Sequence, residues 1–239
     1  SPVAYVPTAA LVVRRELAAF DPVLRYGEDV DLVWRLVAAG HEVRYEPRVE
    51  VRHREPRGWT GTLRRRHRYG TAAAPLGKRH PAAAAHLVAA PLPLAAAVAA
   101  AVAPLPLAAG ATVAASIAGA VRLHRAGLPV RDALAAAASA QAHATSGLAR
   151  YATQLAAPLA LLALRRRPGR TALLLALPGL WDWARRRPPL DPVRFVAVGV
   201  LDDVAYGLGV WRGCLRERSL VPLRPRVRGR AAVRAVTDS

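Results

Sequence analysis

The sequence predicts a chain in two parts, a mixed α/β stretch to about residue 80 and then an all-α, Ala-rich region. Three observations carry this. Before His80, short strand-like apolar runs alternate with helical periodicity. After His80 the composition shifts to Ala, Val and Leu, and the 35 residues from Leu87 to Val121 include no charged side chain. The charge changes as well: 15 basic and 9 acidic residues through Arg79, 20 and 7 beyond it. The segments expected are 1–80, 81–218 and a basic tail, 219–239, whose Arg- and Pro-rich composition predicts disorder.

Within the first segment, Ala9 to Val13 is a short apolar run that fits a buried strand. Arg14 to Phe20 fits a helical turn, broken at Asp21-Pro22. From Glu28 to Ala39 the apolar positions Leu32, Val33, Leu36 and Val37 share one face of a helix. Its first turn is acidic, where the helix dipole favours carboxylates, and Gly40 is placed to end it. His41 to Tyr45 predicts a strand. Val49, Val51 and His53 alternate, so they point to one side of another strand. Trp59 to Gly70 predicts a helix carrying Arg64, Arg65, Arg66 and Arg68.

In the second segment, a membrane-spanning helix needs about 20 apolar residues. Leu87–Val121 is too long for one span and slightly short for two. Pro91, Pro93, Pro104 and Pro106 punctuate it. The reading is a tight hairpin over 87–121 with both ends cytoplasmic, since Lys78 and Arg79 precede it and Arg122 and Arg125 follow. A buried or interfacial Ala-rich helix pair is the alternative. Asp132 to Leu164 predicts one long helix, Thr171 to Trp183 a short apolar one, and Val193 to Arg216 another. The tryptophans of Trp181-Asp182-Trp183, followed by Arg185–Arg187, suit a head-group region.

Net charge is +19, which calls for an anionic partner. The arginine clumps sit at the ends of apolar runs with few aromatics between them. That pattern fits an anionic membrane and argues against nucleic acid, where stacking aromatics interleave with cations. Cys214 is the single cysteine, so no intrachain disulfide forms. The chain starts at Ser1 and contains no Met, which predicts a fragment or a processed product.

The stretch with most chemistry is Gly27-Glu28-Asp29-Val30-Asp31-Leu32. Three carboxylates within four positions raise one another's pKa or share a cation. A carboxylate at a helix start is held firmly and can serve as a general base for a hydroxyl. An acidic helix cap is the plain alternative. His53 at a strand end is either a metal ligand or a surface histidine. Arg64, Arg65 and Arg68 either bind phosphate, as guanidinium forks do, or form a solvated basic face.

The order of these elements resembles the second half of the catalytic domain of family 2 (GT-A, inverting) glycosyltransferases. The match runs over about residues 3–70: a Pro-Thr-Ala-Ala apolar run, Phe20-Asp21, the Glu-Asp-x-Asp helix, Arg35-Leu36, Ala39-Gly40 and Val51-x-His53. A narrower resemblance is to glycosyltransferases of the mycofactocin system. It rests on Tyr5-Val6-Pro7-Thr8-Ala9-Ala10-Leu11, on Arg25 to Leu36, on Arg68-Tyr69-Gly70-Thr71 and on Asp202-Asp203-Val204-Ala205-Tyr206-Gly207.

The resemblance implies that Asp29 is the catalytic base, with Glu28 and Asp31 shaping the acceptor side and holding the helix start. It implies substrate contacts from Thr8, Arg64, Arg65 and Arg68, and His53 as a ligand of a divalent metal, Mn²⁺ or Mg²⁺. The other metal ligands would lie in a nucleotide-binding half absent from this sequence, so the chain alone is expected to be inactive. The implied donor is a UDP-sugar, with glucose transferred to a sugar-, peptide- or lipid-linked acceptor on the cytoplasmic side of the cell membrane. Alternatives are transfer to a lipid-linked or cell-envelope glycan, or a non-catalytic membrane-binding scaffold.

Overall fold

A computed structural model describes residues 10–44, 46, 48, 49, 51, 58–81 and 83–227. The chain divides into two compact units, one formed by residues 1–85 and 204–224, the other by 86–203 and 225–239.

In the first unit, Arg15–Leu17 forms a 3-10 turn. Helix α1 spans Glu28–Ala38, α2 Trp59–Thr71 and α3 Ala73–Arg79. Helix α1 starts after Gly27, whose φ of 80° is left-handed backbone that glycine adopts without strain. Leu32 and Val33 on its inner face are fully buried. Leu24, Ala72 and Leu76 form a small core against which Tyr26, Val30 and Trp34 pack.

The last part of α9 (Pro192–Glu217), from Val204 onward, belongs to this unit. It approaches α2 through glycines. A Cβ on Gly70 would collide with the Tyr206 carbonyl, one on Gly209 with the His67 carbonyl, and one on Gly213 would lie 2.6 Å from the Thr71 oxygen. Gly209 and Gly213 stand four residues apart on one helix face, the spacing that lets two helix backbones touch. Pro222, in a 3-10 turn over Val221–Leu223, packs against Gly77 of α3. Lys78 and Glu217 pair at 3.2 Å.

The second unit holds β1 (Val88–Ala89), α4 (Pro91–Val102), α5 (Leu105–Arg125), α6 (Val130–Gln154), α7 (Ala157–Arg166), α8 (Pro168–Arg186), the first part of α9, and β2 (Arg226–Val227). Helices α4, α5 and α6 pack on one another through alanines, among them Ala97 with Ala144 and Ala120 with Ala133 and Ala137. The two strands pair in parallel, Val88 opposite Arg226.

Several expectations need correction. The strands expected at Ala9–Val13 and His41–Tyr45 do not form over their described residues, where Arg44 alone carries an isolated bridge, and most of the strand expected at Val49–His53 lies outside the described residues. A strand needs a neighbour to satisfy its backbone, and the one ladder among the described residues is β1–β2. The helix expected over Asp132–Leu164 is broken at Leu155-Ala156, where α6 and α7 meet with a bend of 106°. Pro158 in the first turn of α7 is the sequence reason, because proline suits a helix start and not its middle. Part of the stretch expected as a disordered tail is structured, through the Val221–Leu223 turn and β2.

The apolar stretch 87–121 does form a helix pair, broken at Ala103-Pro104. Helix α4 has 12 residues, about 18 Å at 1.5 Å per residue, against about 30 Å of hydrocarbon. Among the described residues α5 is the one continuous helix long and apolar enough to cross a bilayer. The arginines expected to flank membrane segments have a second task here. Arg167 donates to the carbonyls of Val102 (2.9 Å) and Ala103 (3.2 Å), and Arg170 to those of Ala103 and Ala99. They satisfy the last carbonyls of α4 and oppose its dipole.

The glycine contacts make a sharp prediction. Gly209→Ala should cost ~1–3 kcal/mol through backbone displacement. Gly110→Ala, where the new Cβ meets nothing within 4 Å, should be neutral or stabilise by up to ~1 kcal/mol through helix propensity. Denaturant unfolding of the two variants beside the parent chain measures both.

Candidate functional site

The acidic start of α1 lies in the first unit, and its three carboxylates have different surroundings. Glu28 and Asp29 are half-buried, whereas Asp31 is 1% exposed. Asp29 accepts a hydrogen bond from the Val30 N–H at 2.8 Å, which fixes one carboxylate oxygen against the helix end.

Asp31 is the centre of a polar cluster. It accepts from Arg35 Nε at 2.8 Å and from His80 Nε2 at 2.9 Å, and Arg79 stands at 3.5 Å. Arg79 also pairs with Asp21 at 2.6 Å, and Arg35 donates to the Ala19 carbonyl. The His80 ring meets Trp34 edge to face at 5.4 Å. Burial pushes the Asp31 carboxyl up, but the His80 and Arg35 bonds and the Arg79 charge outweigh it and hold the group below its ordinary value. Asp21 is lowered too, first by the Val23 N–H and then by Arg79.

Aromatic contacts tie the entry to α1 to the basic helix α2. Tyr26 meets Tyr69 edge to face at 6.4 Å, and the Arg65 guanidinium lies 5.9 Å from the Tyr69 ring centre. Arg66 lies 5.1 Å from the Tyr206 ring. Both distances suit cation–π attraction. Arg64 and Arg68 are exposed. The unit therefore presents a carboxylate at a helix start and guanidiniums on a helix tied to that start. These are the groups needed to take a proton and to neutralise a phosphate.

Thr8 and His53 lie outside the described residues. Among the described residues no three His, Cys, Asp or Glu side chains gather as a metal cage. The sequence pattern showed the Asp31–Arg35 pair through its four-residue spacing. Nothing in it pointed to His80, 49 residues away.

A second carboxylate, half-buried and in the other unit, also lacked a local signal. Asp203 accepts from Gln154 Nε2 at 2.7 Å and from Thr153 Oγ1 at 3.2 Å. Burial raises its pKa, against the lowering effect of Gln154, Arg150 and Thr153.

The depressed Asp31 pKa makes stability depend on pH. A carboxylate whose folded value lies below its unfolded one, near 3.9, contributes fully above the unfolded value. That contribution is lost as pH falls through the lower, folded value. Asp31→Asn should cost roughly 3 kcal/mol at neutral pH, the scale of a broken buried pair. It should also flatten the loss of stability below about pH 4. Unfolding curves from pH 7 to pH 3 check both.

No family model and no solved structure matches the chain. It is 38% identical, over 249 aligned positions covering 95% of its length, to the pre-mycofactocin glycosyltransferase of Mycobacterium tuberculosis, strain CDC 1551 / Oshkosh. The figures are the same for strain ATCC 25618 / H37Rv. The chain spans about half the length of these relatives, 52% of each. Nearly the whole chain is thus homologous to about half of a pre-mycofactocin glycosyltransferase.

Proposed function

We propose that the first unit is the base-bearing, acceptor-side part of an inverting glycosyltransferase. The observation that carries this is the rigid acidic start of α1, with Asp29 two residues ahead of the Asp31 cluster, in a chain 38% identical to a glycosyltransferase over 95% of its length. The Asp29 carboxylate takes the proton of an acceptor hydroxyl. The freed oxygen attacks the anomeric carbon from the face opposite the leaving group, the bond to the diphosphate oxygen breaks, and UDP departs. One displacement inverts the anomeric centre.

Arg64, Arg65 and Arg68 neutralise the charge that grows on the diphosphate. Glu28 and Thr8 shape the substrate side, and Asp31 holds the helix start in place. The motif resemblance supports glucose as the sugar, and the relatives' name supports a mycofactocin precursor as the acceptor. A divalent metal held partly by His53 belongs to the same proposal and would stabilise the leaving diphosphate. Membrane association, with the first unit on the cytoplasmic side, is supported by the apolar helix α5 and by the +13 charge beyond Arg79.

The test uses a chimera in which the rest of the M. tuberculosis relative is supplied on the same chain. Sugar transfer from the radiolabelled nucleotide sugar is then compared with and without Asp29→Asn. Loss of a general base should slow the reaction about 10²–10⁴-fold, with folding unchanged by circular dichroism. Transfer at the parent rate would remove Asp29 as the base.

A further inference from the structure

We propose that the α7–α8 pair docks in the plane of an anionic lipid leaflet, as a one-sided contact and not a span. This rests on the membrane reading above and specifies which surface meets the lipid and how.

The inner face of α8 is already committed. Thr171 and Pro178 are buried, and Thr171 Oγ1 donates to the Ala163 carbonyl of α7 at 3.1 Å. Arg170 holds the end of α4. Asp182 pairs with Arg150 of α6 at 2.5 Å, and Trp183 Nε1 donates to the Leu190 carbonyl at 2.7 Å. With α8 tied at both ends, it cannot turn to bury the stripe of Leu173, Leu177 and Trp181, which are exposed by 57%, 39% and 60%. On α7, Leu159 and Leu162 are exposed by 68% and 49%.

Cations bracket this apolar surface. Arg165 and Arg166 end α7 just before the joint with α8, and Arg185 and Arg186 end α8; all four are exposed. Apolar side chains between cation clusters, with a tryptophan near one cluster, are complementary to acyl chains beneath anionic head groups. A second copy of the chain, equally cationic, would bring these clusters against like charge.

Length excludes a span here. The uncharged run of α8 from Thr171 to Trp181 has 11 residues, about 16 Å of helix against about 30 Å of hydrocarbon. Arginines at both of its ends would otherwise sit within the bilayer core, where a charge is costly.

The experiment is vesicle flotation of the full chain. Sealed vesicles of phosphatidylcholine alone are compared with vesicles of equal parts phosphatidylcholine and phosphatidylglycerol. The chain should float with the anionic vesicles only. Arg165→Gln and Arg166→Gln should each weaken partitioning about fivefold, equivalent to ~1 kcal/mol per arginine at the surface. The variant Leu173→Gln/Leu177→Gln/Trp181→Gln alters exposed positions, so it should keep its helicity by circular dichroism and lose flotation.

Flotation that ignores the α7–α8 substitutions would overturn the in-plane docking of this pair and leave membrane association standing. No flotation with either vesicle would remove both. Loss of self-association in the triple variant without any lipid binding would assign the surface to a second copy instead.

Discussion

Asp31 is almost wholly withdrawn from water, yet two guanidiniums and an imidazole gather on it and keep its carboxyl ionised at neutral pH. Those partners come from separate places. Arg35 lies one turn along the same helix, and Arg79 and His80 close the end of α3. Arg79 extends the cluster to Asp21 ahead of α1. A buried carboxylate without these partners would be strongly unfavourable, so the cluster fixes where α1 begins. Asp29 stands two residues ahead on that first turn, bonded to the helix end. Its position is inherited from Asp31.

The basic helix is placed by a different constraint. Gly70 on α2 and Gly209 and Gly213 on α9 leave no room for a Cβ, so the two helices meet backbone to backbone. That contact explains why the last part of α9 belongs with the first unit despite lying more than 120 residues further on. It also sets which α2 residues look outward, with Arg64 and Arg68 exposed and Arg65 and Arg66 laid over tyrosines. In the second unit, alanine does the corresponding work. Small side chains bring α4, α5 and α6 together but bury little area per residue, and many leucines and valines stay exposed.

The helices were legible in the sequence wherever periodicity and end signals agreed. Gly27, the acidic first turn and Gly40 bracket α1 within a residue or two, and α8 and α9 follow their apolar runs. The strands were not legible. A short apolar run such as Ala10 to Val13 says nothing of whether a partner strand is present. The break between α6 and α7 is marked by Pro158, while the apolar run that continues through it hides the break from periodicity. Of the Asp31 cluster, only the pair with Arg35 was legible, through its four-residue spacing. His80 and the α2–α9 crossing depend on contacts between residues distant in the chain, which leave no local periodicity.

The homology to about half of a glycosyltransferase and the fixed start of α1 converge on one claim, that Asp29 faces the acceptor hydroxyl. The most direct measurement is a structure of the chimera with acceptor and an unreactive nucleotide-sugar analogue bound. The account predicts an Asp29 carboxylate oxygen about 2.6–3.2 Å from the hydroxyl that is to be glycosylated, with Asp31 still enclosed by Arg35, Arg79 and His80. A different carboxylate at that hydroxyl, with Asp29 turned away from it, would contradict the account.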